Sequence, residues 1–152
     1  MEPAVVFPMN LDIEDTDPLN RNDEMEEINV NIQKEVEDIK YNIFRFKKQL
    51  FYNIVSNDKV HEAKNMGAMM NFHALFLQII GYWIGLLDSK PVPMPKLSTG
   101  RDQRNFRTLS HAIEKTANSD PDAHTLIYSL LFHFAQQHPF DLGNFEKNDT
   151  ED

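Results

Sequence analysis

The residues best equipped for chemistry are the six histidines of this 152-residue chain, because imidazoles serve as metal ligands and as acid–base groups. None belongs to an H-E-x-x-H motif. His111 and Glu114 have the spacing of a ligand pair in a di-metal bundle, but no second pair accompanies them. His124 follows Asp120 and Asp122, two acids that the start of a helix already explains. We therefore predict no metal site.

The other common catalytic motifs are missing as well. Five glycines are scattered along the chain, so no glycine-rich phosphate loop forms, and there is no G-x-S-x-G sequence. The absence of cysteine excludes a thiol nucleophile and any cysteine-ligated zinc or iron–sulfur site. His73 lies in an apolar segment, where a hydrogen-bonded core histidine is the expected role. We predict that the chain is not an enzyme and takes no cofactor.

The acidic charge of the chain is concentrated at its ends. The formal net charge is −9, but residues 1–27 hold nine acids and one base, and residues 141–152 hold five acids and one base. Residues 28–140 therefore carry +3, from 13 bases and 10 acids. Such acidic ends are typically disordered and solvating. The alternative is that an acidic arm masks a basic surface or docks on a basic partner.

A long helix is predicted from about Asp23 to Val55. Apolar residues from Ile32 to Leu50 follow steps of 4, 3, 4, 3 and 4, with Asn29 and Asn53 as polar exceptions in the heptad seam. The first half has the narrow seam of a coiled coil, whereas the second half is apolar on several sides, as in a bundle core. We predict that a partner helix, from a second copy or another subunit, covers the seam residues Met25, Ile32, Val36, Ile39 and Ile43. The alternative is that the whole helix packs within its own chain.

An uncharged stretch of 23 residues from Asn65 to Leu87 predicts a second helix that is long enough to span a membrane. Gly81 and Gly85 form a GxxxG pair in it. Four polar side chains would need partners in hydrocarbon, namely Asn65, Asn71, His73 and Gln78. Because the other helices offer apolar faces, we predict a central core helix with both glycines at close-packing points. A single membrane span is the alternative.

The remaining segments complete an all-α bundle. Three prolines within residues 89–100 predict an extended connection to a third helix over about 102–117. Asp120 as a cap and Pro121 at the first helical position predict the start of a fourth helix. The predicted fold is a bundle of about four helices at 23–140, with a long, partly coiled-coil-like first helix, a disordered arm at 1–22 and a disordered tail at 141–152.

These features favour an interaction protein over a catalyst. We predict a non-enzymatic module, an adaptor or a subunit of a complex, that binds protein partners or a second copy of itself. The first residues have no features of a targeting peptide, so an intracellular location, cytoplasmic or nuclear, is expected. The alternative is a nucleic-acid-associated factor with Arg101, Arg104 and Arg107 as its basic helix face. Pairing of these bases with acids of a partner, or of the chain's own arm, is the more economical use of a weakly basic middle region.

Overall fold

The computed structural model describes residues 17–56 and 62–142, with side chains over 30–55 and 66–142. It contains four α-helices and, in these residues, no strand. A π-helical segment, Tyr52–Ser56, continues from the first helix. The helices are α1 Asp17–Phe51, α2 Glu62–Leu87, α3 Gly100–Ser119 and α4 Pro121–Gln136. The prediction of an all-α bundle of four helices with a long first helix is confirmed.

The chain divides into two compact units after Lys34. In the first unit the described residues form one helix, which begins at Asp17 rather than at the predicted Asp23. The second unit holds the rest of α1 and the other three helices. Residues 1–16 and 143–152, which carry most of the predicted disorder, lie outside the described residues. Leu142 is described and buried, so the ordered packing continues beyond the predicted end of the bundle.

An aromatic cluster joins α1, α2 and α3 in the second unit. The indole of Trp83 stacks on the ring of Phe106 at 5.8 Å and contacts the ring of Phe46 at 6.3 Å, and all three side chains are buried. The indole Nε1 donates to Ser110 Oγ at 2.7 Å, and that hydroxyl donates to the carbonyl of Phe106 at 2.7 Å. The polar end of the largest core side chain is therefore satisfied, as buried tryptophans require.

Helices α2 and α4 run antiparallel. Phe72, in the first half of α2, contacts Phe140, just beyond the end of α4, while Phe76 packs edge-on against Phe134. At the opposite ends, His124 Nε2 lies 3.3 Å from the carbonyl of Leu87. This arrangement closes the apolar face of α4 over one side of α2.

The starts of α3 and α4 follow from their caps. Thr99 Oγ1 accepts from the backbone N–H of Asp102 at 3.0 Å, so α3 begins at Gly100, two residues before the predicted start. Asn53 Nδ2 donates to both carboxylate oxygens of the buried Asp102, at 2.9 and 3.2 Å. Asn53 was a polar exception in the predicted seam, and this hydrogen bond to a buried carboxylate explains why the position is polar. The predicted start of α4, with Asp120 as the cap and Pro121 as the first residue, is confirmed.

Candidate functional site

The seam predicted to bind a partner is largely buried within this chain. Val36, Ile39 and Ile43 belong to the core of the second unit, and Ile32 is also buried in the first. The side chain of Met25 lies outside the described residues. The same row of apolar side chains continues along α1 with Phe46 and Leu50, which are also buried. This row is the face of α1 that packs in the core. From Val36 onward α1 packs within its own chain, which is the alternative that the sequence left open.

A different apolar stripe faces solvent on α2. It begins with Met66 and Met70, which are 63% and 66% exposed, and includes Leu77, which is 38% exposed. At 100° per residue, all of its members fall within one side of the helix, and none carries a charge. We call this surface the open face of α2, and it comprises Met66, Gly67, Met70, Asn71, Ala74, Leu77, Gln78 and Gly81.

The opposite side of α2 is core. It holds the buried side chains Phe72, Phe76, Ile79, Ile80, Trp83 and Leu87. The segment Met66–Leu87 is long and apolar enough to cross a membrane by length and composition, yet 39% of its most apolar window is buried inside the bundle. The prediction of a central core helix therefore holds for one side of α2. The sequence did not reveal the open face, because a helix that is apolar on all sides is expected to be buried on all sides.

Gly81 and Gly85 have different environments although they are one turn apart. A Cβ placed on Gly85 would collide with the side chain of Val92, so the chain's own extended segment covers this position. A Cβ on Gly81 would meet nothing within 4 Å. The prediction that both glycines are close-packing points is thus right for Gly85 and wrong for Gly81. A glycine inside a helix costs about 1 kcal/mol relative to alanine, and no contact within the described residues accounts for Gly81.

At the end of α2, one residue in the left-handed backbone conformation reverses the chain and places Val92 against Gly85. The backbone N–H of Lys90 donates to the carbonyl of Gly85 at 2.9 Å, and that of Ser89 donates to Leu86 at 3.3 Å. Ser89 has a φ of 56°. This is the Schellman hydrogen-bond pattern, in which glycine is the usual residue at the left-handed position. The reversal folds the proline-containing segment back over the last turn of α2 and leaves the preceding turns uncovered.

The basic residues of α1 and α3 differ in exposure. Arg101, Arg104 and Arg107 are all exposed on α3, as a nucleic-acid or acidic partner would require. Lys47 and Lys48 of α1 are instead buried. Lys47 and Lys48 therefore add nothing to a basic surface, whereas the three arginines of α3 are accessible.

Lys47 is a cation enclosed by aromatic rings and by the end of α4. Its Nζ donates to Gln137 Oε1 at 3.3 Å and to the carbonyl of His138 at 3.5 Å. It also lies over the rings of Phe76 and Phe44, at 5.3 and 5.8 Å. Burial lowers the pKa of Lys47, and the nearby charge of Asp141 partly opposes that shift. The side chain closes the carboxyl end of α4, where a positive charge is favoured by the helix dipole.

Two of the histidines considered for chemistry, His124 and His73, pack against aromatic rings in the structure. His124, besides its contact with Leu87, stacks on the ring of Tyr128 at 6.0 Å. The hydroxyl of Tyr128 donates to Asp88 Oδ2 at 3.0 Å, and this hydrogen bond raises the pKa of Tyr128. His73 packs against Phe140. Within the described part of the chain, no three histidine, aspartate or glutamate side chains come together as a metal-binding group.

No known protein family, curated protein or solved structure matches this chain. Among the described residues, the open face of α2 is a stripe of exposed, uncharged residues that includes three large apolar side chains. Isolated exposed apolar residues are common in soluble proteins, whereas contiguous exposed apolar patches are typical of interaction surfaces.

Proposed function

We propose that this chain is a non-enzymatic protein–protein interaction module and that the open face of α2 binds a helix of a partner protein. The observation that carries the proposal is the continuous, uncharged exposure of Met66, Met70 and Leu77 along one side of a helix whose other side is core. Burying such a stripe against a partner removes apolar area from water, at about 25 cal/mol per Å².

The composition of the open face supports a helical partner. Gly67, Ala74 and Gly81 are spaced by seven residues and form its middle line, where small side chains allow two helix backbones to approach closely. Methionine and leucine side chains flank this line on one side, and methionine adapts readily to the shape of a partner. On the other side Asn71 and Gln78 supply the hydrogen-bonding rim that interfaces have around an apolar centre.

The test compares two leucines of equal exposure. Leu77 on the open face and Leu126 on α4 are both 38% exposed, so Leu77→Glu and Leu126→Glu introduce the same charge at equally accessible sites. A photo-crosslinking residue placed at Ala74 in cells identifies proteins that contact the face, and purified candidates are then titrated against each variant. We expect Leu77→Glu to weaken binding by tenfold or more, while Leu126→Glu and wild type bind alike.

Two results would contradict this proposal. One is a crosslinked protein that binds Leu77→Glu and Leu126→Glu with the same Kd as wild type. The other is a loss of binding that accompanies unfolding, so thermal melting of each variant is measured first. A stripe engaged with lipid would instead keep the chain in the membrane fraction after an alkaline wash, and Leu77→Glu would release it.

Nucleic-acid association is the second candidate function, favoured by the exposure of Arg101, Arg104 and Arg107 along α3. Phosphate contacts release counterions, so such binding weakens steeply with salt. Replacing all three arginines with alanine should then abolish salt-dependent binding of DNA or RNA, measured as a shift in gel mobility. The absence of any shift of the wild type at low salt excludes this function.

A further inference from the structure

A row of exposed polar and basic side chains runs along one side of α3. Its members are separated by steps of 3, 4, 3 and 4 residues, the spacing that keeps side chains on one side of a helix. We call this surface the α3 basic stripe, and it comprises Arg101, Arg104, Thr108, His111 and Lys115. All of these side chains are exposed. At 1.5 Å per residue, the stripe is about 21 Å long.

The carboxylates of α3 lie away from this stripe. Every residue of α3 is described, and the helix has two acids. Asp102 is buried and accepts hydrogen bonds from Asn53, while Glu114 is about 100° around the helix from the middle of the stripe. The guanidinium of Arg104 reaches back towards the start of α3, because its Nη1 lies 3.6 Å from the position of a Cβ on Gly100. Two guanidinium groups are therefore presented at the first turn of α3.

Residues 143–152 begin at the same end of the second unit as this first turn. Phe140 packs against Phe51 at the end of α1, with ring centroids 6.3 Å apart, and the last described residue follows two positions later and is buried. Two residues before Phe51, Gln49 lines a cleft together with Arg101. Positions two apart on a helix point in nearly opposite directions, so α1, which is about 10–12 Å across, separates the start of this segment from Arg101.

The segment has the charge and the length to reach the α3 basic stripe. It contains one base, Lys147, and four acids, Glu146, Asp149, Glu151 and Asp152. An extended chain advances by about 3.3 Å per residue, so Glu146 can lie about 13 Å beyond Leu142. That distance is sufficient to pass the width of α1. The later acids then follow over about 20 Å of extended chain, which matches the length of the stripe.

Residues 143–152 suit this surface better than the other acidic end of the chain. Residues 1–16 also hold four acids, but they belong to the first unit. Residues 143–152 follow directly on Leu142, which is buried in the unit that contains α3. A segment tethered so close to its site has an effective concentration of about a millimolar. Several weak exposed ion pairs are then enough to hold it.

We propose that the α3 basic stripe binds the chain's own acidic segment, residues 143–152. Its first carboxylates pair with Arg101 and Arg104, whose guanidinium groups can form two parallel hydrogen bonds with a carboxylate. The later acids lie along the rest of the stripe. Bound in this way, the segment withholds the stripe from other anions until a more strongly charged ligand displaces it. The contact does not involve the open face of α2, so either surface can be disrupted alone.

The first test locates the segment by paramagnetic relaxation in the full chain. Because the sequence has no cysteine, Thr150→Cys carries a nitroxide at a single site. We expect the nitroxide to broaden the amide NMR signals of residues 101–111 in 0.1 M salt. The broadening should disappear in 1 M salt, where the screening length falls from about 10 Å to about 3 Å.

Two pairs of substitutions in the labelled chain test the role of the stripe. Arg101→Gln with Arg104→Gln should reduce the broadening about threefold, because it removes two exposed ion pairs. The matched control is Lys90→Gln with Arg107→Gln, which removes two exposed charges that are not members of the stripe. This control should keep most of the broadening.

The second test measures how far the segment masks the stripe, with heparin as the anionic probe. One variant neutralises four acids of the segment, by Glu146→Gln, Asp149→Asn, Glu151→Gln and Asp152→Asn. The charge-matched control neutralises the four acids of residues 1–16, by Glu2→Gln, Asp12→Asn, Glu14→Gln and Asp15→Asn. We expect the first variant to bind heparin about tenfold more tightly than wild type, and the control to differ much less from wild type.

Three results would overturn the proposal. One is broadening of other helices with none on α3, and another is an equal gain in heparin affinity for the two neutralised variants. The third is broadening of isotope-labelled chains by added spin-labelled chains, which would mean that the segment binds a second copy. Thermal melting is measured first for each variant. Leu77→Glu should leave the broadening of α3 unchanged, so failure here is distinguishable from failure of the proposed function.

Discussion

The buried stripe of α1 and the open face of α2 follow the same helical spacing, but only one of them is covered. On α1 the stripe consists of bulky residues such as Ile39, Ile43 and Phe46, all of which are buried. On α2 the stripe combines flexible and small residues, among them Met70 and Gly81, and it lies open. Bulky branched side chains fill a fixed core, whereas small and flexible ones suit a surface that a partner completes. The comparison shows that the spacing of apolar residues identifies the apolar faces of a helix. The size of the side chains on a face then indicates whether it is covered within the chain.

The largest expected effect is a difference in the free energy of unfolding between a substitution in the buried stripe of α1 and one in the open face of α2. Ile43 is fully buried and Met70 is 66% exposed. Ile43→Ala should lower the free energy of unfolding by about 2–5 kcal/mol, because it removes core contacts and leaves a cavity. Met70→Ala should change it by about 0.5 kcal/mol at most. Urea unfolding of both variants checks the contrast, and equal losses would show that the open face of α2 is covered within the chain.

A second test concerns the covered end of α2. Gly85→Ala places a methyl group against Val92 and should destabilise the chain by about 1–3 kcal/mol, the usual cost of overpacking. Thermal melting measures the loss. The double variant Gly85→Ala with Val92→Ala removes the collision and should recover part of it, whereas no recovery would mean that Val92 does not cause the loss.

A glycine-to-alanine substitution one turn earlier should have the opposite effect on stability. Gly81→Ala meets no neighbouring atom, and it should raise the free energy of unfolding by about 0.5–1 kcal/mol through helix propensity. If a partner helix approaches at Gly81, this more stable variant should also bind that partner more weakly. A variant that is destabilised would show that Gly81 is packed in the free chain.

The smallest effect concerns charge, which the two helices distribute in opposite ways. The buried side of α1 includes the cation Lys47, while the open face of α2 has no charge. Because burial lowers the pKa of Lys47 in the folded chain, the unfolded chain binds more protons between that pKa and the ordinary value of about 10.5. Stability should therefore rise with pH in this window, relative to Lys47→Met. Parallel pH slopes for wild type and Lys47→Met would contradict the burial of a charged amine.

The helices and the cap of α4 were predictable from local signals. The apolar spacing located most of α1, the long uncharged stretch located α2, and Asp120 with Pro121 located the start of α4. The sequence did not predict which segment covers each apolar helix face, because the covering residues are distant along the chain. Val92 reaches Gly85 only because Ser89 reverses the chain in a left-handed turn.

The candidate sites were predictable only in part. The exposure of Arg101, Arg104 and Arg107 follows from their charge. Lys47 has the same charge and is buried, because α2 provides an aromatic ring and the residues just beyond α4 provide a carbonyl, neither of which a local pattern reveals. Residues of α1 and α3 that are more than fifty positions apart likewise line one cleft of the second unit. One local signal was available for the open face, namely the small residues Gly67, Ala74 and Gly81 at intervals of seven.

Trp83 gives the molecule an optical reporter of its own. It is the single tryptophan of the chain, and its indole is shielded from water between Phe46 and Phe106. Its fluorescence therefore follows the joint packing of α1, α2 and α3, and its emission should move to longer wavelength when the indole becomes hydrated. Since Trp83 is on the side of α2 opposite to the open face, a helix bound there should leave that emission nearly unchanged. A shift of the Trp83 emission in the unlabelled protein thus reports loss of the fold and not the binding of a helix to the open face of α2.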